Sequence, residues 1–231
     1  MKKKYTYEEF LEIIKTLRSE NGCPWDREQT HTSLKACMME EAAEVLAAIR
    51  IYDTTGNYGN LREELGDVLL QVVMHAEIAE EEGIFTMEDV VDEIAEKMVR
   101  RHPHVFGDGV ANTADQVLQN WDDIKKKEKG DIPSPLKEIP LELPALTRAP
   151  KVLKAVDKFY EPTGDYESVI NSLEQAVQHL KECGPHTDKA QMEKLVGDIL
   201  MDTSRISRMC KLSQEQILTD RIDNMIAHYE G

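Results

Sequence analysis

Hydrophobic residues recur at intervals of three and four positions along most of the chain, which is the spacing of one side of an α-helix. The pattern first appears after Thr6, which precedes Glu9 by three residues as in a capping box. No stretch shows the alternation typical of a β-strand. The predicted fold class is therefore all-α, built from helical bundles. Helices are predicted after Thr6, over 33–51, 60–82 and 86–103, from Thr113 onward, and over 151–160, 166–183, 188–211 and 213–230.

The same spacing predicts which side chains face the core. Ile49 of the second helix and Leu65 of the third fall on the apolar side of their helices. Asn60, with Glu63 three positions later, is expected to cap the third helix, and Gly83 to end it. Trp25 is expected to pack into the bundle.

The helical pattern stops at residues 130–150, where five prolines fall in one short stretch. A regular helix is not expected there, so the segment is predicted to be a linker or an extended strap. The chain thus divides into a first domain (1–129), a proline-rich linker (130–150) and a second helical domain (151–231).

Two short motifs of the first half recur in the second, which indicates a tandem repeat. Residues 40–44 correspond to 174–178, and residues 65–70 correspond to 196–201. Three acidic positions lose their charge in the second copy: Glu41, Glu44 and Glu64 correspond to Gln175, Gln178 and Leu195. Asp198 alone keeps the carboxylate of Asp67. Chemistry that needs clustered negative charge is therefore expected in the first half only, and the second repeat is degenerate.

The net charge of −16, from 44 acidic and 28 basic residues, changes which partners are plausible. A surface this acidic argues against binding to nucleic acid or to an anionic membrane. An anionic substrate would need a positive group in its site, and a divalent cation would supply one.

The four cysteines contain no closely spaced pair, so we expect reduced thiols rather than disulfides or a zinc site. The first residues lack the apolar core of a signal peptide, and no apolar run approaches membrane-spanning length. These observations predict a cytoplasmic protein that does not enter a membrane.

Two pairs of carboxylates carry the strongest chemical signal. Glu41 and Glu44 are three residues apart, as are Glu64 and Asp67, so each pair shares one face of its helix. A short loop joins the two helices, which lets the pairs face each other. Carboxylates that converge either take up protons or hold hard cations such as Mg²⁺. Solvated helix faces remain the commoner explanation of such motifs, but these acids lie among apolar residues.

The ordered set of motifs resembles the MazG family of nucleoside triphosphate pyrophosphohydrolases. The resemblance is carried by Cys23-Pro24-Trp25-Asp26, by the acidic pairs with Glu40, and by residues 100–106, RRHPHVF. It is close over residues 6–128 and weaker over the rest. It implies an all-α enzyme that works as a homodimer or higher oligomer, with Mg²⁺, or Mn²⁺ as a substitute, held by carboxylates.

Site residues follow from the resemblance by motif match. It implies Glu41, Glu44, Glu64 and Asp67 as metal ligands and Glu40 as a helper in catalysis. It also implies that Lys97 and Arg101 act in catalysis and bind phosphate, and that Trp121 and Lys125 contact the nucleotide. From the residues alone, Lys97 and Arg101 lie one helical turn apart and could clamp a triphosphate, although an ordinary solvated surface fits equally. Trp121 is more often a core residue.

The predicted function is Mg²⁺-dependent hydrolysis of NTPs and dNTPs to the monophosphate and pyrophosphate, as nucleotide-pool house-cleaning. A non-catalytic regulatory protein that binds nucleotide or metal is the alternative. A di-iron bundle is a third hypothesis, but it needs two Glu-x-x-His motifs, and the chain offers one at Glu28 and His31.

Overall fold

The computed structural model describes residues 4–129, 134–183 and 187–230, without the side chains of Lys126 and Lys129. Within these residues every regular element is a helix, which confirms the all-α prediction. Part of the predicted linker, residues 130–133, lies outside the described ranges. The described helices are α1 (Tyr7–Arg18), α2 (Pro24–Glu28), α3 (Lys35–Thr55), α4 (Gly59–Glu81), α5 (Met87–Arg101), α6 (Pro103–Phe106), α7 (Ala114–Lys129), α8 (Ala145–Phe159), α9 (Tyr166–Glu182), α10 (Lys189–Met209) and α11 (Gln214–Glu230).

Helix ends follow local capping chemistry. Thr6 and Thr86 each form the capping box that their spacing predicts. The predicted cap at Asn60 is wrong, because the N-cap of α4 is Tyr58, two residues earlier, and Asn60 lies inside the helix. Gly83 does end α4 as predicted: its φ of 69° is one that glycine adopts without strain.

Two short helices, α2 and α6, are absent from the helices predicted from the sequence, and α6 begins at Pro103, where a predicted helix was expected to end. Each begins with a proline, Pro24 and Pro103. Proline fits the first helical position because the missing N–H has no partner there in any helix. Periodicity could not reveal these helices, since neither is longer than five residues.

The predicted linker also requires a correction at its end. Helix α8 starts at Ala145, so residues 145–150 are helical and Pro150 lies inside the helix. Pro150 is the sixth residue of α8, where its missing N–H removes a single hydrogen bond, to the carbonyl of Leu146. The first turn of α8 still forms, as the Arg148 N–H donates to the Pro144 carbonyl at 2.8 Å.

The helices divide into two compact units, Met1–Glu128 and Lys129–Gly231. In the first unit, α1 and α3 pack on α4 around a buried apolar cluster. Its buried members are Ile14, Leu34, Val73, Met74 and Ile78. Not every predicted core residue is inside: Ile49 is 40% exposed, Leu65 52% and Trp25 59%.

Arg18 of α1 forms hydrogen bonds both to α4 and to the segment that contains α2. Its side chain is 4% exposed and forms a two-bond pair with Glu81, at 2.9 and 2.6 Å. Its remaining nitrogen donates to the carbonyls of Asp26 and Gln29. A buried guanidinium is stable only when its donors are satisfied in this way.

The second unit is built on the pair α9–α10, with α8 packed on α10 and α11 on α8. Leu153, Val169, Ala176 and Leu195 are its buried apolar residues among those described. No helix of the described ranges combines the length and the apolar character needed to cross a bilayer. The described cysteines are free thiols, as predicted.

Candidate metal centre

Helix α3 contributes three glutamates. Glu41 is half-buried, whereas Glu40 and Glu44 are exposed. Glu41 and Glu44 are one helical turn apart and therefore project from neighbouring positions of α3. Helix α3 packs extensively on α4, and the two are joined by only three residues, 56–58, so they run antiparallel.

Helix α4 contributes Glu64 and Asp67. Glu64 is buried, with 9% of its surface exposed, and Asp67 is half-buried. The side-chain amide of Asn60, one turn earlier, donates to Glu64 Oε1 at 3.0 Å. This bond orients one carboxylate oxygen of Glu64.

The acids of the two helices converge. One carboxylate oxygen from each of Glu41, Glu64 and Asp67 lies within 4.8 Å of the others. Glu44 lies close enough to Glu64 for a side-chain hydrogen bond between their carboxyl groups. The structure therefore brings together all four acids that the sequence singled out, while Glu40 lies beside them on an exposed position of α3.

Burial, together with neighbouring like charges, raises the pKa of two of these groups. The pKa of Glu41 lies above its usual range because of burial and of the charges on Asp67, Glu44 and Glu40. The pKa of Glu64 is raised by burial, by its hydrogen bond with Glu44 and by the charges on Glu44, Asp67 and Glu63. In both cases the ionised carboxylate is disfavoured, and a bound cation would remove that penalty.

The donor set fits a hard divalent cation. Oxygens that bind one Mg²⁺ at about 2.1 Å lie about 3–4 Å from one another, a spacing that oxygens within 4.8 Å reach by small side-chain adjustments. All ligand atoms are carboxylate oxygens, which suit Mg²⁺, Mn²⁺ and Ca²⁺ rather than softer metals. The cluster is therefore consistent with divalent-metal binding.

Helix α5 carries Lys97 and Arg101, which are the predicted basic pair, and also Arg100. Arg101 is 11% exposed and bonded to Glu128 of α7, with Nη2 to Oε2 at 2.5 Å. Arg100 donates to the other oxygen of Glu128 at 2.8 Å. These bonds lower the pKa of Glu128 to about 2, the bond from Arg101 contributing most.

Helix α7 places Trp121 beside Arg101. The guanidinium carbon of Arg101 is 5.2 Å from the centroid of the Trp121 ring, and Lys125 Nζ is 5.7 Å from it. Both distances are typical of cation–π contacts. The indole nitrogen is buried without a hydrogen-bond partner among the described residues.

The predicted site residues thus form two groups in the described structure. One is the carboxylate cluster of α3 and α4, and the other contains Arg101, Trp121 and Lys125. Lys97 is half-buried on α5, one turn before Arg101. Among the described residues no hydrogen bond or ion pair links Lys97, Arg101 or Lys125 to the carboxylates. That both groups act on one substrate stays a prediction.

The sequence analysis assigned no site role to Asn60 or Glu128, and it did not identify the contact that His75 makes with His31. Glu128 follows Trp121 and Lys125 at positions i+7 and i+3 of α7, so helical spacing could have placed it on their face. His75 Nδ1 lies 2.8 Å from His31 Nδ1, a contact across 44 residues that no local pattern reveals.

Comparison with known families matches residues 29–106 to the MazG nucleotide pyrophosphohydrolase domain. The matched segment contains the carboxylate cluster and the basic pair of α5. It ends before α7.

Curated relatives extend the similarity over most of the chain. The nucleoside triphosphate pyrophosphohydrolase/pyrophosphatase MazG of Thermotoga maritima is 41% identical over 213 residues, which cover 92% of this chain and 79% of the relative. The nucleoside triphosphate pyrophosphohydrolase of Escherichia coli K12 is 40% identical over 215 residues, with 86% and 76% coverage. The uncharacterised protein YabN of Bacillus subtilis is 44% identical over 219 residues, and the chain spans only 44% of its length.

Proposed function

The chain belongs to the MazG family of nucleotide pyrophosphohydrolases, and from this membership we propose that it hydrolyses NTPs and dNTPs to the nucleoside monophosphate and pyrophosphate. The observation that carries the proposal is the convergence of Glu41, Glu64 and Asp67 from two helices. Converging carboxylates disfavour their own ionised forms unless a cation binds between them. The same cation would attract the negatively charged triphosphate, which an acidic site would otherwise repel.

Glu41, Glu44, Glu64 and Asp67 would hold the metal, which we propose is Mg²⁺, with Mn²⁺ as a substitute. When bound, it lowers the pKa of a water molecule and offsets negative charge on phosphate oxygens. Asn60 fixes one oxygen of Glu64 by its hydrogen bond, so this ligand is oriented before any cation arrives.

Hydrolysis requires that a water oxygen bonds to the α-phosphorus while the bond from that phosphorus to the bridging oxygen breaks. The water proton passes to a carboxylate, and Glu41 is the first group proposed for this role because it lies in the cluster with Glu64 and Asp67. Glu40, exposed one position earlier, is the second group proposed for this role. Pyrophosphate leaves with the electrons of the broken bond.

Lys97 and Arg101 are proposed to bind the departing phosphates, since cations placed there stabilise the charge that develops. Trp121 and Lys125 are proposed to contact the nucleotide. Arg101 and Lys125 already lie over the Trp121 ring, so a base would stack on this residue only at a ring face that they leave open.

A homodimer or higher homo-oligomer is proposed from the exposed apolar side chains of α3 and α4. Leu46 is 64% exposed, Met39 63% and Leu65 52%. Clusters of exposed apolar residues commonly mark protein–protein interfaces. Light scattering of the full chain should give at least twice the monomer mass of 26.3 kDa, and Leu65→Asp should shift it towards the monomer.

The proposed physiological role is cytoplasmic house-cleaning of the nucleotide pool, without nucleic-acid or membrane partners. The second unit is proposed to support assembly or to cover the first unit's site rather than to catalyse, because its corresponding positions are Gln175, Gln178 and Leu195.

The test is product analysis with the full chain. Incubation with a panel of NTPs and dNTPs and Mg²⁺, followed by ³¹P NMR, should give monophosphate and pyrophosphate in equal amounts. Orthophosphate as the first product would contradict the proposed reaction. Calorimetric binding of nucleotide without turnover would instead support the non-catalytic regulatory alternative.

A further inference from the structure

Glu128 forms an ion-pair junction with both arginines of α5. Its two oxygens accept from Arg101 Nε at 3.1 and 3.3 Å and from Nη2 at 2.5 Å, and Oε1 also accepts from Arg100 at 2.8 Å. The side chains of Arg101 and Glu128 are 11% and 18% exposed, whereas that of Arg100 is 52% exposed. The ion pair between Arg101 and Glu128 is therefore largely shielded from solvent, whereas Arg100 is mostly exposed.

The geometry of the pair leaves part of Arg101 available. Glu128 occupies the side of the guanidinium formed by Nε and Nη2. No described residue accepts a hydrogen bond from Nη1, and Nη1 is not among the buried polar atoms that lack a partner. A guanidinium offers two hydrogen bonds from its Nη1–Nη2 edge, which match two phosphate oxygens.

The Trp121 ring restricts Arg101 from a second direction, with the guanidinium carbon 5.2 Å from its centroid. Trp121 and Glu128 are seven residues apart on α7, so a single helix supplies both contacts. Arginine is otherwise a long side chain with much rotational freedom, and fixing it in advance lowers the entropic cost of binding a ligand.

We propose that Glu128 is a positioning residue, which holds Arg101 against Trp121 so that its free edge is presented to the phosphates of the nucleotide. This inference rests on the proposed function, in which Arg101 binds phosphate. It assigns α7 a part in organising α5, beyond direct contact with the nucleotide. Because the pKa of Glu128 is about 2, the junction stays ionised over any practical assay range.

A double-mutant cycle with Glu128→Gln and Arg101→Ala tests the proposal, because Gln keeps the size of Glu and removes its charge. Steady-state kinetics with ATP and Mg²⁺ should show KM raised about tenfold and kcat lowered in Glu128→Gln, because a misplaced Arg101 neither binds the phosphates nor stabilises the charge that develops on them. In the Arg101→Ala background, Glu128→Gln should change KM by less than about twofold, because its effect passes through Arg101. Glu93→Gln, on an exposed position of α5, is the matched control and should equal wild type.

Three outcomes would overturn the proposal: an unchanged KM in Glu128→Gln, a lowered KM, or equal effects of Glu128→Gln with and without Arg101. A lowered KM would mean that Glu128 competes with the nucleotide for Arg101. If the wild type releases no pyrophosphate, the proposed function fails instead. The Kd for ATP can then be measured by calorimetry in the same four proteins of the double-mutant cycle. These values test whether Glu128 positions Arg101 even if no turnover occurs.

Trp121 fluorescence gives a readout that does not depend on turnover. The chain has two tryptophans, so Trp25→Phe leaves Trp121 as the only one. Glu128→Gln in this background should change the Trp121 emission maximum or intensity, while Glu93→Gln should not. An unchanged spectrum would show that Arg101 keeps its place over the ring without Glu128, against the proposal.

Discussion

The helix pairs α3–α4 and α9–α10 are the most informative comparison in the molecule, since each is the most extensively packed pair of its unit. In the first pair, Glu41, Glu64 and Asp67 converge. At the corresponding positions of the second pair stand Gln175, Leu195 and Asp198. Leu195 is 8% exposed and packs as an ordinary core residue.

Two acids of the second pair each form an ion pair with a basic residue of the same helix. Asp198 accepts from Lys194 at 2.5 Å, and the buried Asp202 accepts from Arg205 at 2.5 Å. These residues line a cavity of about 460 Å³ together with Gln175 and His179. A helix pair of this kind thus packs without a carboxylate cluster. The acids of the first pair are therefore not needed for packing, and the raised pKa values of Glu41 and Glu64 mean that the ionised forms of these two side chains oppose folding.

Removing one acid from the first pair should have the largest effect. Asp67→Asn should lower the rate of pyrophosphate release by at least about a hundredfold, because even residues that only support metal ligands cost 10–100-fold when changed. The measurement is initial rate at saturating Mg²⁺.

Asp198→Asn provides the matched control at the corresponding position of the second pair. It should leave the rate within about twofold, because Asp198 pairs with an exposed lysine. Similar losses in both variants would remove the functional distinction between the helix pairs.

A change at Arg18 in the first unit should lower the stability of the fold without changing the catalytic rate. Arg18→Met breaks a bonded pair with Glu81 and two bonds to backbone carbonyls, so the free energy of unfolding should fall by about 2–3 kcal/mol. Below the unfolding transition kcat should be unchanged, since Arg18 is not among the proposed site residues. Denaturant titration and kinetics at 20 °C would measure both.

Lys15→Met is the control for Arg18→Met. Lys15 pairs with Glu80 on the same two helices, but both side chains are largely exposed, and such pairs contribute little. Equal destabilisation by the two variants would contradict the importance of burial at Arg18.

Local chemistry made much of the fold predictable from the sequence. Thr6 and Thr86 determine their helix starts with partners three residues away, and Gly83 ends α4 through its own backbone. The failures have a common cause in interactions that the local pattern does not contain. Leu65 and Ile49 have the periodicity of core residues yet are exposed, because periodicity identifies an apolar face and not what covers it.

The candidate site was predictable to the same extent. Helical spacing placed Glu41 with Glu44 and Glu64 with Asp67, and the short loop brought the two helices together. The pairing of Arg101 with Glu128 joins residues 27 positions apart, so it needed the tertiary structure. That Lys97, Arg101 and Lys125 act on the same substrate as the carboxylates stays a prediction.

Divalent cations should stabilise the first unit. At Mg²⁺ tenfold above its Kd, stability should rise by about 1.4 kcal/mol for one site that binds only the folded state. Without metal at pH 7, Glu64→Gln should raise the melting temperature, because the raised pKa shows that the charge of Glu64 opposes folding above that pKa. The same variant should lose most of the metal-induced shift. A variant that is less stable without metal would contradict this explanation.

The smallest effect is expected at the His31–His75 contact. Burial and His31 lower the pKa of His75 below its usual 6.5, so the unfolded chain takes up the proton first as the pH falls. The stability due to neutral His75 is complete above pH 6.5 and is lost as the pH falls from there towards the folded-state pKa.

His75→Asn tests this pH dependence. The variant should be less stable than wild type at pH 8, and the difference between them should narrow below pH 6.5, as followed by melting temperature. A difference that widens on acidification would mean that protonated His75 stabilises the fold.

The most direct test of the metal centre is Mn²⁺ binding followed by electron paramagnetic resonance, since free Mn²⁺ gives a signal that decreases on binding. Wild type should bind Mn²⁺ and release it to excess Mg²⁺. Glu64→Gln with Asp67→Asn should abolish binding, and Asp198→Asn should not affect it. Wild-type affinity in the double variant would contradict the claim that α3 and α4 hold the metal.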